Sequence, residues 1–396
     1  MKKVLMVVQN DFVNDSRIIK EASTLGENGF KVKVLALHND GLKEEENFDN
    51  FKVKRLKLST RNRLGKNKLA QIVKYVEFRN KCLSEAIKFN PDIVHCHDVY
   101  TLPIGEKIVD KLGVKLIYDS HELWAHASNN ITMPKILLNL QNNIENRVIR
   151  KCQGVITVSE SIVNYLEKEY NLSEKPVLLR NIPKKSNIIK SKNMFYEDLD
   201  IDEDKKIVLY QGVVGTGRGI EKLMKSMQYI KNNNIVLVIL GNGPKVDYYK
   251  EMAYKLNIEG KVYFHKAVDQ SILMNYTSSA HVGMSLIKNI CLSYYYSLPN
   301  KMFEYIQSEI PVICSNYPDM KNIVDKYGVG KSVDPDNNLK IAESIEEILE
   351  NNDTYDKYKE NCKCVKEELN WEVESKKLIE LYNKVLNLDK DRINKK

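Results

Sequence analysis

Short apolar runs alternate along the chain with longer stretches whose apolar residues recur at helical spacing. Residues 4–8 read as a strand, 16–27 as a helix stopped by Gly29, and 32–37 as a second strand. This strand-helix-strand rhythm predicts a parallel sheet covered by helices. It continues through strands at 51–58, 92–96, 114–118, 155–158 and 177–179, with a long basic helix at about 67–89 and another near 102–112. From 182 to about 206 the chain turns to Lys, Asn, Ser, Asp and Glu without a period, which reads as a linker. The rhythm then restarts, with strands at 207–211, 236–240, 262–264, 282–284 and 312–315, so a second α/β unit is expected. The last helix, about 372–386, gathers Leu378, Ile379, Leu381, Tyr382, Val385 and Leu386 on one side, and the first unit is its expected partner.

Residues 298–315 read as loop, helix and strand in succession. Pro299 and Asn300 favour a turn and a helix start, Met302, Phe303 and Ile306 form its buried face, and Pro311 ends it before the apolar run 311–315. Lys301, Glu304 and Glu309 are left over by this packing. A helix start with Asn300 and Lys301 suits an anion, and Glu304 one turn in suits a sugar hydroxyl.

At 396 residues, 43% apolar and 29% charged, the chain is long enough for two soluble domains. The apolar run before Asn10 and Asp11 is short, so it reads as a first strand rather than a signal peptide, and no run approaches the ~20 apolar residues of a membrane span. A cytoplasmic protein is expected. The 7 cysteines are scattered, and Cys362 and Cys364 are wrongly spaced for a zinc knuckle, so reduced thiols are expected. The net charge of +8 is modest, but it gathers between 52 and 81. There Lys52, Lys54, Arg55, Lys57, Arg61, Arg63, Lys66, Lys68, Lys74, Arg79 and Lys81 face one acid, Glu77, and interleave with Leu64, Leu69, Ile72, Val73 and Val76. Such a segment is either a contact for an anionic membrane surface or a solvated helix. No nucleic-acid partner is expected, because no helix-turn-helix, RRM or zinc pattern accompanies the charge.

Candidate chemistry lies at strand ends. Gln211-Gly-Val-Val-Gly-Thr-Gly-Arg-Gly219 follows a strand and opens a helix. Its glycines either simply shape the turn or expose backbone N–H groups to a phosphate, and Arg218 between two of them favours the second by adding a fork. The spacing is neither Walker A nor the dinucleotide fingerprint. Asp119-Ser-His-Glu-Leu-Trp124 follows another strand, where His121 is an acid, base or hydrogen-bond donor, or simply a loop histidine, with Glu122 able to orient it. In His95-Cys-His-Asp98 the two histidines share one strand face and Cys96 takes the other. Without a downstream pair no metal site is expected, and His97 and Asp98 read as structural or acceptor-side residues. Asp198-Leu-Asp-Ile-Asp-Glu-Asp204 contains Asp-x-Asp, but within the polar linker it reads as a solvated charge run.

In their order, Asp15-Ser-Arg17 with Glu21-Ala22 and Gly29, Tyr118-Asp-Ser-His-Glu122, Val158-Ser-Glu-Ser161, Tyr210-Gln-Gly212 with Arg218-Gly219, Leu240-Gly-Asn-Gly243, and Pro299-Asn-Lys with Phe303-Glu304 resemble a family. The chain looks like a family 4 (group 1) retaining glycosyltransferase of the GT-B fold over nearly its whole length. The resemblance implies two Rossmann-like α/β domains with parallel sheets facing across a cleft. The acceptor domain would be 1–183, with the helix 372–390 packing back on it, and the nucleotide-sugar domain 200–371. On the donor side it implies Gly212, Gly215, Gly217, Arg218, Gly241, Asn300, Lys301 and Glu304. Glu304 would bond the ribose hydroxyls, Arg218 neutralise the diphosphate, and 262–268 meet the base. Asp15, Arg17, His97, Asp98 and Glu122 would serve the acceptor side, and His121, Arg218 and Lys301 the chemistry, with His121 contacting the transferred sugar.

Two positions depart from the family pattern. Eight residues before Glu304 stands Tyr296, where the family has an acid that steadies the donor sugar. Val213 stands where the family has Arg, with Arg218 at its Lys, and Lys301 could supply the missing charge. The expected activity is metal-independent transfer of a hexosyl group from a nucleotide-diphosphate sugar, a UDP-sugar first, with retention. The acceptor would be a hydroxyl of a glycan or polyprenyl-linked intermediate in cell-surface polysaccharide synthesis, at the inner face of the plasma membrane. No cofactor is expected. The rivals are a sugar-nucleotide epimerase of the same fold and a non-catalytic membrane-associated partner of glycan assembly. A nicotinamide enzyme is disfavoured, because no ribose-binding acid follows the glycine turn at the required distance.

Overall fold

The computed structural model describes the chain except residues 14, 62, 66, 128–132, 134, 186–192 and 394–396. Lys66 of the basic segment and part of the expected linker therefore lie outside the described residues. Two compact units are present, one of residues 1–180 with 375–396, the other of 181–374.

The first unit is built on β1 (Lys3–Val7), β2 (Lys31–Leu37), β3 (Glu45–Asn47), β4 (Phe51–Leu56), β5 (Ile93–His97), β6 (Lys115–Ser120), β7 (Gly154–Thr157) and β8 (Val177–Leu178). Their order is β3-β4-β2-β1-β5-β6-β7-β8. All neighbours are parallel except the edge pair of β3 and β4. Strand order reverses between β1 and β5, the switch point beside which open α/β sheets bind ligands. Val4, Leu5, Met6 and Val7 are fully buried, as expected of a central strand covered on both faces.

The second unit carries β9 (Lys206–Gln211), β10 (Ile235–Leu240), β11 (Val262–His265), β12 (Val282–Ser285), β13 (Val312–Ser315) and β14 (Gly330–Val333). They are all parallel, in the order β11-β10-β9-β12-β13-β14. Strand alternation divides β10 between two cores. Val236, Val238 and Leu240 join the helix residues Met302, Phe303 and Ile306 on one face, and Ile235, Leu237 and Ile239 join Ile220 and Leu223 on the other. The switch point lies between β9 and β12.

The last helix, Trp371–Ile393, buries Leu378, Leu381, Tyr382 and Val385, and from Ser375 onward it belongs to the first unit. Three expectations are corrected. The stretch read as a featureless linker contains a helix, Met194–Leu199, whose Phe195 is fully buried. Its Asp198 is not merely solvated: it accepts from the Tyr276 hydroxyl at 2.5 Å and lies 3.2 Å from His265 Nε2. The helix Asn300–Gln307 stops before Pro311, because Glu309 turns the chain at φ +59 and is buried against Lys366.

Candidate functional site

In the second unit the groups expected to handle a diphosphate meet at the carboxyl end of β9. Gly212 leaves the strand at φ +124, a region that favours glycine, and Gly217 sits at φ +78. Lys301, in the first turn of the helix Asn300–Gln307, places its Nζ 3.8 Å from the centre of the buried Tyr210 ring. A Cβ at Gly212 would lie 3.9 Å from that same Nζ, so the glycine turn and the ammonium face one another. The Arg218 guanidinium lies 5.4 Å from the Tyr294 ring centre. Among the described residues neither cation makes an ion pair with a carboxylate, and both rest on aromatic faces instead. Burial, and then the Arg218 charge, push the Lys301 ammonium down to about 7 against the pull of Glu304.

Glu304, one turn into the helix, is oriented by a buried relay. The Gln211 side-chain amide donates to Glu304 Oε2, and its carbonyl accepts from the Thr277 hydroxyl at 2.8 Å. Gln211 is 2% exposed, and with its oxygen engaged by Thr277 the amide must turn its N–H groups to the carboxylate. Gly241 has a different job from a ligand contact. A Cβ there would meet the Gly212 carbonyl at 1.9 Å, so its absence lets two loops close on one another. Gly215 is buried in the same turn and Asn300 is exposed at the helix start.

In the first unit the expected acceptor residues meet at the ends of β5 and β6, but most are turned inward. Arg17 holds Asp119 with two bonds of 2.7 Å and donates to the Leu179 carbonyl at 2.8 Å. It is 4% exposed, so it acts on a ligand only through Asp119. His97 is buried too, its Nδ1 3.3 Å from Asp119. Asp15 caps the helix Ser16–Glu27 by accepting from the Ile18 amide. His121 Nε2 lies 2.9 Å from Asp119 Oδ2, and its Nδ1 lies 3.3 Å from Asp98 Oδ2. Although burial works the other way, the carboxylates Asp98 and Asp119 hold His121 well above the usual imidazole range. The orienting acids are these two rather than the exposed Glu122. Asp98 sits at φ +61, a conformation unusual for a residue with a side chain.

Behind this pair, Glu21, His95, His97 and Asp119 bring potential ligand atoms within 4.8 Å of one another, a set the sequence reading did not assemble. Such donors suit a transition metal. Here the Arg17 fork already occupies both Asp119 oxygens, and a cation would also face the His121 charge. Burial and then the Asp119 charge push the Glu21 carboxyl up to about 8. His95 is tied through Nδ1 to the Tyr382 hydroxyl at 2.8 Å, which anchors the last helix.

Gln211, Thr277, Tyr210 and Tyr294 were not assigned roles from sequence. Only Tyr210 and Gln211 had a signal, as neighbours of Gly212 in the quoted motif.

Two family profiles match the chain: "Glycosyltransferase Family 4" over residues 17–181 and "Glycosyl transferases group 1" over 191–364. An archaeal relative, the uncharacterized glycosyltransferase MJ1607 of Methanocaldococcus jannaschii, is 26% identical over 273 residues, 65% of this chain and 66% of that protein, just under two thirds of its length. Among solved structures, sucrose-phosphate synthase (tll1590) from Thermosynechococcus elongatus superposes with a TM-score of 0.83 at 17% identity, covering 98% of this chain and 99% of that one. HepE of Anabaena, solved in complex with UDP-glucose, gives 0.74 at 12% identity, covering 97% and 100%.

Proposed function

The chain belongs to the family 4, group 1 glycosyltransferases, with the GT-B fold, and from that premise we propose that it moves a hexosyl group, with retention, from a UDP-sugar to a hydroxyl of a lipid-linked glycan in polysaccharide synthesis. The observation that carries this reading is the pairing of Arg218 and Lys301, two cations without carboxylate partners among the described residues, with the glycine turn at the end of β9. Such a site suits a diphosphate. Glu304, fixed by Gln211, bonds the ribose hydroxyls of the donor. HepE, a neighbour in fold, was solved with UDP-glucose, which supports trying uridine donors first.

In the reaction the bond between C1 of the sugar and the diphosphate oxygen breaks, and the bond from the acceptor oxygen to C1 forms on the same face. The acceptor's proton passes to the departing phosphate oxygen. Arg218 and protonated Lys301 stabilise the charge growing on that leaving group. His121, both of whose ring nitrogens face carboxylates, is assigned a place beside the transferred sugar rather than the part of the base. The two cations take the part that a divalent ion plays elsewhere, so EDTA is expected to leave turnover unchanged. The acid-poor basic segment, with its interleaved apolar residues, is assigned to an anionic membrane surface, and no helix among the described residues is long and apolar enough to cross one. Proton NMR of the first-formed product tests the stereochemistry: an anomeric configuration opposite to that of the donor would defeat the same-face route.

A further inference from the structure

A row of buried polar side chains runs from the last helix to His121. Tyr382, on the helix Trp371–Ile393, places its hydroxyl 2.8 Å from His95 Nδ1. Phe30 packs against the Tyr382 ring in a T-shaped contact at 5.5 Å, which holds that hydroxyl in place. His95 and His97 stand two places apart on β5 and so share a face; their rings stack with centres 4.3 Å apart and planes 27° from parallel. His97 Nδ1 then lies 3.3 Å from both His121 Nε2 and Asp119 Oδ2. Tyr382, His95 and Asp119 are fully buried, and His97 is 1% exposed. The row comes to the surface at His121, whose side chain is 22% exposed.

The two inner histidines are poor choices for packing alone. His95 Nε2 and His97 Nε2 are buried without a hydrogen-bond partner among the described residues, and Glu21 Oε2, 4.0 Å from His95 Nε2, is beyond reach. Burying a polar edge in this way is costly, and apolar side chains at 95 and 97 would close the core without that cost. Nor do they serve as charges, since burial holds both imidazoles below their usual range. What they supply is a pair of rigid planes in direct contact. In a close-packed interior with no water to take up a lost bond, a displacement of one plane is passed to the next.

We propose that Tyr382 is a positioning residue for His121. Its hydroxyl sets the His95 ring, the stack sets His97, and His97 with Asp119 fixes the His121 imidazole. The helix that bears Tyr382 belongs to the second unit through Glu374 and to the first from Ser375 onward, so the seat of His121 depends on how that helix docks. The consequence for turnover rests on the reading that His121 stands beside the transferred sugar; the placement of its ring does not.

The test uses the full chain with isotope-labelled histidine rings, followed by NMR. Tyr382→Phe removes the hydroxyl and keeps the ring, whereas Leu378→Ala loosens the same helix without touching the hydroxyl. In Tyr382→Phe the ring signals of His97 and His121 should shift together with that of His95, while His281, in the second unit, stays. Leu378→Ala should leave the His121 signal where it is. With UDP-glucose as donor, Tyr382→Phe should lower kcat for UDP release about tenfold and keep KM within about twofold, a split that lost stability alone does not give. Should Tyr382→Phe fail to fold, His95→Asn decides: its amide stands near the place of Nδ1 but offers no ring to His97, so the His121 signal should move again. A shift confined to His95, or an equal shift of His121 in Leu378→Ala, overturns the proposal. An unchanged kcat beside a shifted His121 signal would instead remove His121 from the sugar, and no UDP release by the wild type would overturn the donor reading; in both cases the ring signals still decide the role of Tyr382.

Discussion

Lys301 combines three circumstances that seldom meet in one lysine: partial burial, a cationic neighbour in Arg218, and an aromatic ring for a partner. With an ammonium that titrates near 7 in the free protein, the sign of its pH effect follows. A bound diphosphate stabilises the charged form and raises its pKa, so the donor is bound most tightly below about pH 7. UDP affinity should then fall as pH rises through that value, by up to about tenfold per pH unit until the bound-state pKa is reached. Lys301→Arg, always charged, should keep the affinity and lose the slope; a slope that survives the substitution assigns the titration elsewhere. Glu304 is the complementary case. Replacing it by Ala should cost about 1.5–3 kcal/mol of UDP affinity, the worth of a charge-assisted hydrogen bond, and proportionately less of kcat. Unchanged donor affinity in calorimetry would remove the ribose from its assignment.

At the level of elements, the interior strands were legible because a strand covered on both faces must be apolar without interruption, as Ile235–Leu240 is. Of the edge strands, Val177–Leu178 and Val262–His265 were legible, and Glu45–Asn47 and Gly330–Val333 were not. Glu45–Asn47 is polar and is held by pairing with Lys54, Val53 and Lys52, while Gly330–Val333 has one large apolar residue. Their strand character comes from a neighbour's open edge, which no local pattern reports. The glycine turn and the helix bearing Glu304 were readable in the same way, from punctuation and spacing. The Gln211 to Thr277 relay was not, because it joins residues 66 positions apart. The inward turn of Arg17 was also hidden, since a guanidinium fits a ligand and a buried aspartate equally well by residue type. The last helix was visible as an apolar face in need of a partner. Leu378 is fully buried in the first unit, so Leu378→Ala should destabilise it by about 2–5 kcal/mol. Chemical denaturation followed by circular dichroism checks this, and a loss under about 1 kcal/mol would show that the helix is only loosely docked.

Over the whole molecule, chemistry is divided between the units by kind of charge. The second unit keeps Arg218 and Lys301 without carboxylate partners among the described residues, as an anion site must be kept. The first unit neutralises Arg17 and His121 locally, against Asp119 and Asp98. Burying an uncompensated charge is costly, so a fold retains one where a ligand of opposite charge returns the energy. On the proposed function, that difference is the ground for expecting the nucleotide diphosphate in the second unit. Hydrogen exchange on the full chain should therefore show the largest UDP-dependent protection in residues 212–219 and 299–304. A bound ligand slows exchange in the amides it orders by the same mass action that raises stability, about 2.7 kcal/mol at a hundredfold excess over Kd. If the strongest protection falls instead at residues 97–98 and 119–121, the nucleotide binds the first unit, and the cations of the second must answer to another anion.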